Sequence, residues 1–154
     1  MTTTNFVDKV TVIPTAWCND VDARVYEYSS YESLTAAKTI DTEDNGKTFG
    51  LNKAEGAIIT LPTCAAAGAG FHCIFRVETT FITTDWVITA TSTLINLRVN
   101  EATGGAGELD ANATSVNFAA AAETIGDVIH LSTNGSVWFA QGFCEAVNGI
   151  TATA

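Results

Sequence analysis

Apolar and polar side chains repeatedly alternate with a period of two between Lys47 and Val77. Phe49 and Leu51 fall on one face of a predicted strand over residues 47–52. A second, β-branched strand runs from Ala57 to Leu61, and Pro62 stops it. Phe71, Cys73, Phe75 and Val77 share one face of a third. Asp44-Asn45-Gly46 is a turn, since Asn and Gly tolerate positive φ at little cost. Lys53 to Gly56 turns the chain again, so the first two strands read as a hairpin. Ala65 to Gly70 reads as a small-residue loop.

The same grammar continues downstream. Strands are expected over 85–90, over 94–99 with Ile95, Leu97 and Val99 on one face, and over 115–119. Residues 101–112, with their run of glycines, read as a long loop. Asn134-Gly135 between two apolar runs predicts a hairpin joining 124–131 to 137–144. Upstream, 34–41 and 10–13 read as extended. One helix is expected from Thr15 to Tyr28, with Thr15 as N-cap. Its Trp17, Val21, Val25 and Tyr28 recur at helical spacing. The sum is nine or ten short strands and one helix, and no internal repeat of fixed period. That predicts an all-β domain, an antiparallel sandwich or jelly-roll-like fold, over 33–154, preceded by an arm and short helix over 1–32.

Charge sharpens this picture. The 154 residues carry 17 acidic and 7 basic side chains, a net charge of −10. After residue 60 the only basic residues are Arg76 and Arg98. Such a chain repels phosphate, which argues against nucleic acid and anionic membrane as partners. Only 16% of residues are charged, against about 25% in an ordinary domain. The shortfall points to surface buried against another subunit, the rival explanation being simply the abundance of Ala and Thr. The first five residues are polar and no apolar stretch follows, so no secretion signal is expected. Cys18, Cys64, Cys73 and Cys144 form no C-x-x-C pair and read as free thiols.

Candidate chemistry is sparse. His72 and His130 have no nucleophile and orienting acid that the sequence identifies. Gly68-Ala69-Gly70 lacks the third glycine and the following helix of a nucleotide loop. Asp41, Glu43 and Asp44 lie together, but not at the spacing of a calcium loop. The expectation is a protein without catalytic residues, metal or cofactor.

Two segments resemble structural proteins of tailed bacteriophages. Ile13 to Tyr26 is similar to a segment of their virion proteins, matching at Ile13, Trp17, Asn19, Asp20, Val21, Val25 and Tyr26. Cys18 stands where that segment usually has Leu. Asp44 to Val77 resembles a block of small virion proteins, often from marine phages, at Asp44 to Phe49, Ile58 to Pro62, Gly70, Phe71, Phe75 and Val77. Together they cover about a third of the chain. The resemblance implies a capsid decoration, or cement, protein. Such a protein is made in the host cytoplasm and binds the outside of the expanded shell as a homotrimer, with the major capsid protein as partner. The alternative it leaves is a tail-associated or fibre-type protein that attaches to the host, using loop tips such as 101–112. On the decoration reading, arm and helix would make the shell or inter-subunit contact through Val10, Val12, Ile13, Trp17, Val21, Tyr26, Tyr28 and Tyr31. The competing view keeps Trp17 in the core of its own domain and the tyrosines over it.

Overall fold

The computed structural model describes residues 31–91, 94–104 and 109–154. The expected arm and helix, and with them Val10, Val12, Ile13, Trp17, Val21, Tyr26 and Tyr28, lie outside the described residues. What is described is an all-β sandwich of two sheets. In chain order the strands are β1 (Tyr31–Leu34), β2 (Lys38–Thr39), β3 (Thr48–Leu51), β4 (Ile58–Leu61), β5 (His72–Val77), β6 (Trp86–Ala90), β7 (Ile95–Glu101), β8 (Leu109–Ala113), β9 (Ser115–Phe118), β10 (Val128–Thr133), β11 (Trp138–Cys144) and β12 (Ile150–Thr153). Seven form one sheet in the order β1-β3-β5-β10-β11-β7-β8. Five form the other in the order β12-β9-β6-β4-β2.

The sandwich is not purely antiparallel, as the sequence had suggested. Five of its ten strand pairings are parallel. From β1 to β6 the chain crosses to the opposite sheet at every step, so β1, β3 and β5 lie side by side, as do β2, β4 and β6. This corrects the expected hairpin of 47–52 with 57–61: β3 and β4 belong to different sheets. The reason is geometric. Phe49, Leu51, Ile59 and Leu61 reach the same core from opposite sides, so either pairing buries them. Gly56 at φ +66 makes the crossing tight, because a Cβ there would meet the carbonyls of Thr84 and Asp85.

Successive turns of this winding are unequal. Tyr31 aligns with Thr48 and Thr48 with Ile74, which is why no period shows in the sequence. The downstream hairpin of β10 and β11 forms as expected and inserts between β5 and β7. In its turn the Asn134 side chain accepts from the backbone N–H groups of Ser136 and Val137. Two smaller differences are local. Residues 109–112, expected in a loop, belong to β8, which pairs with β7. Cys64–Ala67 forms one helical turn, capped by Thr63 Oγ1 accepting from the Ala66 N–H.

The core lies between the sheets. Phe49 stacks on Phe75 at 5.2 Å, and Phe71 meets Trp138 edge-on at 5.7 Å. Each such buried phenylalanine contributes about 1.5–3 kcal/mol of transfer free energy. Trp86 and Trp138 are fully buried, and their indole N–H groups donate to the carbonyls of Lys53 and Pro62. Cys64, Cys73 and Cys144 are free and buried. Among the described residues, no helix is long and apolar enough to cross a membrane.

Candidate functional site

The turn Asp44-Asn45-Gly46 is a structural joint. Asn45 Oδ1 accepts from the His72 N–H, and the Gly46 N–H donates to the His72 carbonyl at 2.7 Å. These bonds tie the turn to the start of β5. Asp44 is buried, with its carboxylate already engaged: Oδ1 accepts from Lys47 Nζ at 2.9 Å and lies 3.4 Å from Lys38 Nζ, while Oδ2 accepts from the Asp41 N–H. Lys38 also sits 5.2 Å over the Phe49 ring. The acidic cluster is therefore built into the fold. Among the described residues no three His, Cys, Asp or Glu side chains gather to hold a metal ion. The glycines before β5 serve the backbone: Gly68 and Gly70 take φ of +82 and +91, and the Gly70 N–H donates to the Thr133 carbonyl of the hairpin.

The exposed faces of the two sheets carry more information. Outward positions of the seven-stranded sheet align in rows. One row runs Tyr31, Thr48, Ile74, His130, Gln141, Arg98. The next runs Ser33, Gly50, Arg76, Val128, Phe143, Asn100. A third runs His72, Ser132, Phe139, Asn96. No carboxylate belongs to these rows, but the Glu78 side chain reaches over the second at Gly50. The rows hold both arginines found after residue 60 and both histidines of the chain. Among the described residues neither Arg76 nor Arg98 is in an ion pair. Phe139 and Phe143 remain 43% and 42% exposed. His130 meets Phe143 edge-on at 6.1 Å, and His72 Nδ1 lies 3.1 Å from the Gly70 carbonyl. Between His72, Ile74, His130, Phe139 and Gln141 the face dips into a shallow hollow of about 330 Å³.

The outward face of the five-stranded sheet is different. Thr39, Thr60, Thr89, Ser115 and Thr153 form an unbroken row of hydroxyls across all five strands. Beside it run Ile58, Val87, Asn117 and Thr151. Neither row holds a charged side chain.

Of the interface residues expected from sequence, only Tyr31 is described. It begins β1 at the edge of the seven-stranded sheet and is 51% exposed. Burial and its hydrogen bond to Glu78 push its hydroxyl up to about 12. Glu78 also accepts from Ser33 Oγ at 2.7 Å, marking one rim of the face. The sequence reading missed Phe139, Phe143 and Arg98. The available signal was β11 itself, where Trp138, Ala140 and Cys144 fill the core side while Phe139 and Phe143 stand on the side that alternation reserves for polar residues.

The chain matches no family model, no curated protein and no solved structure.

Proposed function

We propose that this chain is a structural component of a tailed-phage particle, a capsid decoration protein that binds the outside of the expanded shell as a homotrimer. It acts by binding and not by catalysis. The observation that carries the reading is the outward face of the seven-stranded sheet. A chain of net charge −10 keeps one broad face poor in carboxylates, with Glu78 reaching over it at Gly50, and populates it with Phe139, Phe143, Arg76 and Arg98. Aromatic residues and arginine are the types enriched where protein surfaces meet. The phage-like block from Asp44 to Val77 adds support, because it supplies β3, β4 and β5, the frame of the winding.

The mechanism is linkage. Shell expansion creates sites that the unexpanded shell lacks. A protein that binds only the expanded state adds its binding free energy to that state and resists internal pressure. The arm over residues 1–12 is assigned the shell contact. The test is co-sedimentation of the purified protein with expanded and unexpanded shells. Saturable binding to expanded shells alone, lost on deletion of residues 1–12 with the melting temperature unchanged, is the expected result. Equal binding of the truncated protein would remove the arm from the contact. No binding to either shell would remove the decoration role.

A further inference from the structure

We infer that the outward face of the seven-stranded sheet is where a second copy of this chain docks, presenting a carboxylate-bearing surface to it. The inference rests on the oligomeric part of the function proposed above and specifies the contact. Two like copies of a chain at −10 repel one another, so an association surface must relieve that repulsion. This face is suited to do so. Among the described residues Arg76 and Arg98 stand on it outside any ion pair, and the Glu78 carboxylate that reaches over it at Gly50 is held by Ser33 and Tyr31. Exposed carboxylates lie elsewhere, as at Asp41, Glu43 and Glu55. A cationic face therefore finds its complement on a different part of the next copy.

That geometry is heterologous. The same two patches meet at every contact, and the assembly closes only as a ring. A trimer is such a ring. Phe139 and Phe143 supply apolar anchors beside the charges, and the hollow between Phe139, Ile74 and the two histidines accepts a projecting side chain. The hydroxyl face of the other sheet offers no charge to a neighbour and is left to solvent.

Sedimentation velocity on the full chain tests this, using Phe143→Asp, Arg98→Glu and, on the opposite sheet, Thr89→Arg. All three side chains lie on outward faces, so native circular dichroism and a melting temperature within a few degrees of wild type are expected. The expected result is a trimeric wild type and Thr89→Arg. Phe143→Asp is expected to be monomeric, and Arg98→Glu to dissociate at least tenfold more readily, the more so at low salt. If Phe143→Asp fails to fold, Arg98→Gln and Phe139→Ser carry the same prediction. A trimer that survives every change on the seven-stranded sheet, or dissociates only with Thr89→Arg, overturns the inference and leaves the decoration role standing. A monomeric wild type that still binds expanded shells overturns both the inference and the homotrimer, and leaves shell binding standing. A trimer of the predicted behaviour that binds no shell supports the interface and removes the decoration role.

Discussion

The hydroxyl of Tyr31 meets the carboxylate of Glu78 directly over the backbone of Gly50. Gly50 sits in β3 between β1 and β5, paired with Ser33 on one side and Arg76 on the other. A Cβ at this position would collide with both the hydroxyl and the carboxylate. Glycine is there for space, as its φ is not in the left-handed region. Gly50→Ala should push both side-chain ends aside and cost about 0.5–1.5 kcal/mol, the range for one lost hydrogen bond. The cost should shrink when Tyr31→Ala is added, because neighbouring changes couple. Urea unfolding of the single and double variants measures this, and strict additivity would contradict it.

Alkaline stability follows from two groups. Tyr31 ionises near 12 in the folded chain against about 10 unfolded. Its neutral form is thus favoured by folding, and that contribution is whole below pH 10 and lost as pH climbs towards 12. Burial, reinforced by the charge of Asp44, likewise pushes the Cys73 thiol above its ordinary value of 9.0, with the same sign. The urea midpoint should therefore fall from about pH 9 upwards. Tyr31→Phe should blunt the loss between pH 10 and 12. A midpoint that stays level to pH 12 would show that neither group is linked to folding.

The same burial shields the thiols. Cys64, Cys73 and Cys144 should react with a thiol reagent only as fast as the chain unfolds. Labelling in native buffer and in urea, read residue by residue by mass spectrometry, checks it. Fast native labelling at any of the three would place that side chain at the surface.

Asp127 pins two segments together at the entry to β10. Its carboxylate accepts from the Thr124 N–H at 2.8 Å and the Glu145 N–H at 3.0 Å. Burial raises its proton affinity, and the nearby charges of Glu145 and Glu123 add to this. Asp127→Ala leaves both donors without their acceptor and should cost about 2–4 kcal/mol. Asp127→Asn keeps one acceptor, removes the charge, and should recover at least half of that loss. Because the folded carboxyl prefers its proton, wild type should gain stability relative to Asp127→Asn as pH falls through the acidic range. An equal loss in Asn and Ala variants would mean that the charge itself is what holds Thr124 and Glu145.

How far the chain could be read before its structure depends on the range of each signal. Inward faces were legible, because Phe71, Cys73, Phe75 and Val77, or Ile95, Leu97 and Val99, follow the pleat within a few residues. The β10–β11 hairpin was legible because Thr133 to Ser136 holds its whole instruction. The partners of β3 and β4 were not. Alternation states which side of a strand is buried, not which sheet holds it, and parallel neighbours such as Thr48 and Ile74 are joined through an excursion into the other sheet. The candidate face was hidden for the same reason. Arg76, Phe143 and Arg98 are far apart in sequence and become neighbours only through the β5-β10-β11-β7 order.

The decoration role is tested most directly by counting copies of this chain per particle. Under that proposal the number comes from quantitative mass spectrometry of the phage particle, measured against its major capsid protein. The proposed role predicts copies comparable to those of the shell protein, as a trimer at every equivalent shell site would require. A handful of copies would move the chain to the tail, and its absence from the particle would contradict the account altogether.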